Sequence, residues 1–145
     1  MKTARPIMLL VLSGMLMPIV NARPIGFVKQ EPGQEVTGIV TYRQRTPLPR
    51  NAVLSLRIID ASTYNETPPV IARQNIPITH QVPISFDLAV PGGVINYNHT
   101  YHLEAVINVR GRTIWRNSTI NPVITNGNAT RYIVLMAPTI RRTRK

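Results

Sequence analysis

The chain has 145 residues, 17 Lys+Arg against 6 Asp+Glu, a formal net charge of +11, 13 prolines and no cysteine. One domain fits that length, and these residues offer no disulfide, Cys-ligated zinc, iron–sulfur cluster, thiol nucleophile or Cys-borne lipid. Prolines at nearly twice the usual ~5% leave no proline-free window of helical period beyond the N-terminus, which argues against a bundle or coiled coil.

Residues 1–22 read as a secretory signal. Lys2 and Arg5 supply a positive start, IMLLVL at 7–12 an apolar core, and Val20-Asn21-Ala22 a cleavage site. Ser13, Gly14 and Pro18 break the apolar run, which is too short to span a bilayer as an ordinary helix. Cleavage after Ala22 removes two of the positive charges. Leu12-Ser13-Gly14-Met15 resembles the end of a bacterial lipoprotein signal with methionine in place of the acylated cysteine. A thioether takes no acyl group, so no lipid is expected at Met15. Residues 23–34 read as a linker.

Strands then follow nearly throughout. Residues 35–42 (EVTGIVTY) alternate with period two, and Pro47-Leu48-Pro49 ends them. Residues 52–60 (AVLSLRIID), 70–76 (VIARQNI) and 82–90 (VPISFDLAV) are three more. The 70–76 run is expected at an edge, because Pro77 cannot donate to a ladder. Residues 100–110 (TYHLEAVINVR) form the longest strand, and Gly111 turns it into 112–118 (RTIWRNS) as a tight hairpin. Residues 120–124 add a short edge piece, Asn126-Gly127-Asn128 a turn, and RYIVLMA at 131–137 closes the domain. The pattern is all-β: an antiparallel β-sandwich of about seven strands over 35–138, immunoglobulin- or transthyretin-like, with Trp115 as a core or inter-sheet plug.

The candidate sites are basic. Arg43 and Arg45, expected on one strand face opposite Tyr42, join Arg50 in the densest cluster inside the domain. They either dock an acidic partner segment or are solvated or paired with Glu35 or Asp60. Arg110, Arg112 and Arg116 surround the Gly111 hairpin. From Ala105 onward the chain has eight basic residues and no acidic one, ending in the tail 139–145 with Arg141, Arg142, Arg144 and Lys145. Such a field steers anionic partners and weakens with salt. A signal peptide takes the chain away from nucleic acid, so anionic lipid, lipopolysaccharide or an acidic protein is the expected partner, or the tail merely solubilises. His99 and His102, with Glu104 two residues on, are weak metal evidence, and no metal or cofactor is expected. No catalytic motif is present, so the chain reads as a non-enzyme. Asn65, Asn98, Asn117 and Asn128 head glycosylation-type sequons, without meaning in a bacterial protein.

The blocks at 36–49 (VTGIVTYRQRTPLP), Asn51-Ala52-Val53-Leu54, Asp60-Ala61-Ser62, Val70-Ile71-Ala72 and Gln81-Val82-Pro83-Ile84 with Phe86 occur in series. Ile95, Tyr101, Ala105, Gly111-Arg112 and Pro122-Val123-Ile124 continue it. Together, over about residues 36–125, they resemble the YscW/YbaY lipoprotein family. The resemblance implies a small periplasmic β-sandwich, usually lipid-tethered to the outer membrane. In some members it implies a pilotin that binds the secretin, the ring-forming channel subunit. Met15 departs from that pattern, so a periplasmic or secreted chaperone or adaptor without a lipid anchor is expected. The alternative is a secreted basic module holding anionic lipid or glycan.

Overall fold

A computed structural model describes residues 32–139. The expected signal and its Leu12–Met15 stretch, most of the 23–34 linker, and the tail residues Arg141, Arg142, Arg144 and Lys145 lie outside the described residues. Eight strands run in order: β1 Gln34–Tyr42, β2 Ala52–Asp60, β3 Val70–Pro77, β4 Ile84–Val90, β5 Tyr101–Val109, β6 Arg112–Asn117, β7 Asn121–Val123 and β8 Arg131–Pro138. A single 3-10 turn at Gly92–Val94 precedes β5, and no α-helix occurs among the described residues.

Alternation decides which face each strand buries. In β4, Ile84, Phe86, Leu88 and Val90 point inward while Ser85, Asp87 and Ala89 point out. Inward residues of β1, β2, β5 and β8 meet them in one core of Val36, Val40, Leu54, Leu56, Ile58, Leu103, Ile107 and Val134. Trp115 is buried as expected, and its ring stacks on Tyr42 with centroids 4.1 Å apart.

The strands pair in the order β3-β2-β5-β6-β8-β1-β4, with β7 pairing β5 beyond β6. One sheet therefore curls into a nearly closed barrel. This differs from the expected sandwich of stacked sheets, and the β1–β8 pair is parallel where antiparallel pairing was expected. Period two marks a buried face; it carries neither the direction of a pairing nor whether the sheet curls or stacks. Boundaries shift where backbone chemistry requires it. β4 starts at Ile84 because Pro83 has no N–H to give. Arg110 leaves β5 for the turn: Arg110 and Gly111 both take positive φ (51° and 75°), the geometry of a two-residue hairpin.

The ladder directions give the barrel two ends. At one end β1 leaves through 43–51 into β2, β3 through 78–83 into β4, and β5 through the Arg110-Gly111 turn into β6. β8 leaves at this end too. At the other end lie the start of β1, the loops 61–69 and 91–100, and β7.

Candidate functional site

The first end gathers residues that are far apart in sequence. Arg43, Arg45, Arg50, Arg110 and Arg112 are all exposed there. Arg43 and Arg45 do not share a strand face as expected, because β1 stops at Tyr42. The Tyr42 hydroxyl donates to the Thr46 carbonyl at 2.6 Å and bends the chain away, and Pro47 and Pro49 supply no ladder donor. The loop is then held in place. Leu48, buried, donates its N–H to Gln81 Oε1 at 2.6 Å, and Gln81 Nε2 donates back to the Leu48 carbonyl at 3.3 Å. Ile78 N–H donates to the Ala52 carbonyl at 2.9 Å. Because Ala52 faces Val109 across the ladder, Arg50 comes beside the Arg110-Gly111 hairpin.

None of the five arginines has an acidic partner among the described residues. Neither Glu35 nor Asp60 is near: both lie toward the other end, as do Glu66 and Asp87. Glu104 is taken by Arg57 in the middle of the wall. Arg116 sits on that wall, lining a shallow hollow with Arg57, Arg73 and Glu104. The Glu35 carboxyl is held above its ordinary 4.5 by a hydrogen bond with Asp87 and by that carboxylate's charge.

The other end is laced by a polar network that sequence reasoning missed. Asp60, almost fully buried, accepts from His99 Nδ1 at 2.6 Å and from Ser62 N–H at 2.9 Å. Burial pushes the Asp60 carboxyl up, but the His99 and Ser62 hydrogen bonds and the His99 charge outweigh it and leave it below 3.8. Thr100 N–H donates to Ser62 Oγ at 2.7 Å, and Thr125 Oγ1 donates to the His99 carbonyl at 2.6 Å. His99 thus belongs to this network, while His102 lies on β5, on the same strand face as Glu104. Among the described residues no three His, Cys, Asp or Glu come together as a metal site. Tyr64, Val94 and Tyr97 stand exposed on the loops at this end, and Ile120 stands exposed on the wall between β6 and β7. Of the sequon asparagines, Asn117 and Asn128 are engaged: Asn117 Oδ1 accepts from Ala105 N–H and its Nδ2 donates to the Thr119 carbonyl, bridging the gap between β6 and β7, while Asn128 Nδ2 donates to the Thr125 carbonyl.

A third feature is the slit in the barrel. β3 and β4 are consecutive and joined by 78–83, yet they do not pair; they are the two ends of the sheet. A cleft of about 310 Å³ lies between them, lined by Val70, Ile71, Ala72, Arg73, Ala89 and Pro91. On β3 the buried Oε1 of Gln74 has no hydrogen-bond partner. The expected edge strand at 70–76 is therefore at an edge.

A cracked all-β barrel with this strand series meets a known family. The family model described as type III secretion system lipoprotein chaperone (YscW) matches residues 31–135. The chain belongs to the YscW family. The uncharacterized lipoprotein YbaY of Escherichia coli (strain K12) is 31% identical over 102 residues, 70% of this chain and 54% of that protein. The chain thus spans about half the length of that relative. Among solved structures, an alternative pilotin from the type II secretion system of Vibrio cholerae superposes with a TM-score of 0.70 at 32% identity, covering 75% of this chain and 99% of that one. The family and this neighbour are chaperone and pilotin proteins by name, not enzymes. No helix among the described residues of this YscW-family chain is long and apolar enough to cross a membrane.

Proposed function

We propose that this YscW-family chain is an exported cell-envelope adaptor, chaperone- or pilotin-like, whose partner is a secretin or another outer-membrane component of a secretion system. In this reading residues 1–22 are removed on export, 23–34 link, 35–138 bind, and 139–145 form a basic tail. The mature protein works in the periplasm or is secreted, and is not lipid-anchored. Metabolic labelling with a fatty-acid probe that marked the protein would refute that last point.

The observation that carries the binding mode is the slit. β3 and β4 each present one unpaired row of main-chain donors and acceptors, which in a sheet is a template for another segment. A partner segment laid along either edge gains main-chain hydrogen bonds, and the apolar cleft beside Val70–Ala72 gives its side chains a place to bury. The test is photo-crosslinking in cells that make the secretin of the source organism, with the crosslinker at Asn75 on β3 or Ala89 on β4 and a control at Arg116 on the wall. A secretin adduct from the slit positions and none from the wall supports the reading. No adduct with a secretin or another outer-membrane component of the secretion system at either slit position, or equal adducts at all three, overturns it.

A further inference from the structure

We propose that the arginine-bearing end of the barrel is a docking face for the phosphate headgroups of an anionic phospholipid bilayer. This rests on the charge layout and is independent of the partner proposed for the slit.

Three observations carry it. First, the five arginines at this end, Arg43, Arg45, Arg50, Arg110 and Arg112, are exposed and have no carboxylate within ion-pairing distance among the described residues. Four of the six acidic residues, Glu35, Asp60, Glu66 and Asp87, sit toward the opposite end. The molecule is a charge dipole along its barrel axis, and an anionic plane turns it so that this end faces inward. Second, the cavities described among residues 32–139 do not bring the five together. Arg50 lines one small cavity with His80 and Gln81, and Arg112 lines a different one with Thr113, Ile114 and Thr139. A compact anion or a single acidic peptide lying in a groove reaches one or two of them, whereas a flat surface meets all the tips of the rim. Third, the large exposed apolar side chains, Tyr64, Val94, Tyr97, Ile120 and Ile133, are absent from the loops of this end. Contact there is electrostatic and superficial, without insertion. The loops that carry Arg43, Arg45 and Arg50 are pinned by Gln81 and Tyr42, so the charges are presented with little ordering left to do.

The test is co-sedimentation of the purified protein with vesicles of phosphatidylcholine alone and of phosphatidylcholine with about one third phosphatidylglycerol. Each arginine near an anionic surface strengthens binding about fivefold. Binding to the mixed vesicles alone, falling steeply as salt rises from low to several hundred millimolar, is the expected result. Replacing Arg43, Arg45 and Arg50 together by glutamine weakens it about a hundredfold, with the circular dichroism spectrum unchanged. Arg73→Gln with Arg116→Gln, on the wall, removes fewer charges from the plane and weakens it by less than the triple change. Equal losses from wall and end overturn the proposal. Loss confined to deletion of 140–145, with the triple variant binding like wild type, also overturns it. So does a protein that ignores the mixed vesicles yet binds a polyglutamate peptide through the same arginines, since the face would then serve an acidic protein.

Discussion

Gly38 lies mid-way along β1, paired with Phe86 of β4 on one side and Tyr132 of β8 on the other. A Cβ placed there would stand 2.0 Å from the Tyr132 carbonyl oxygen, 2.9 Å from its carbonyl carbon and 3.0 Å from Phe86 Cζ. Contacts under about 3.0 Å to backbone do not occur, so Gly38→Ala must push β8 from β1 by roughly 1 Å. Overpacking of this kind costs about 1–3 kcal/mol, and a strained or broken ladder hydrogen bond about 1 more. The lower chain entropy of alanine in the unfolded state returns about 0.5–1 kcal/mol. The net expectation is a loss of about 1–3.5 kcal/mol, or a midpoint lowered by roughly 5–15 °C for a domain of this size. The assay is denaturant and thermal unfolding of wild type, Gly38→Ala and Gly93→Ala. A Cβ on Gly93 would meet nothing within 4 Å, and the residue has no left-handed φ, so Gly93→Ala should change stability by less than about 0.5 kcal/mol. A Gly38→Ala protein as stable as Gly93→Ala would show that β8 yields freely and that the close approach is not a packing constraint.

Other outcomes follow from the same geometry. Leu54→Ala, at a position fully closed to solvent between β3 and β5, should cost about 2–5 kcal/mol in the same unfolding assay. Arg110→Asn should raise stability by a few tenths of a kcal/mol, since asparagine tolerates the left-handed conformation that Arg110 holds, while Gly111→Ala should lower it by about 1 kcal/mol. The Asp60 carboxyl is held below 3.8 in the folded protein, so its contribution to stability is complete above about pH 4 and disappears as the pH falls through the depressed folded value. Urea midpoints taken from about pH 6 to about pH 2.5 should therefore fall less steeply at the acid end for Asp60→Asn than for wild type. Equal slopes would remove Asp60 from the acid limb.

Much of the fold is written locally, and the site is not. The alternation of β2, β4 and β5 and the Gly111 turn depend on neighbours a few residues away, and reading them requires only period and turn chemistry. Pro77 and Pro83, flanking the connection between β3 and β4, signal that these strands lie at edges. The glycine at position 38 also carries a signal, since glycine inside a strand marks close backbone approach, though period alone treats it as one more inward position. What stays hidden depends on which strands neighbour which. Arg50 and Arg110 come to the same end only because β2 pairs β5, and Asp60 reaches His99 across 39 residues. Arg43 and Arg45 leave the expected strand face because one hydroxyl, donating to Thr46, ends a strand whose pattern could have continued.

The parallel β1–β8 pair has a consequence for how the chain is made. In the order β3-β2-β5-β6-β8-β1-β4, β8, the last of the described strands in the chain, supplies the ladders that join β1–β4 to the other described strands. Until residues 131–138 have emerged, the chain holds two separate pieces: a ladder of β2, β3, β5, β6 and β7, and a lone pair of β1 with β4 whose partners are more than forty residues apart. A two-stranded piece is marginal in water, and closing such a long loop costs entropy before any packing returns it. The barrel thus closes only once β8 has emerged, and a chain stopped before Arg131 lacks the ladders that hold its two pieces together.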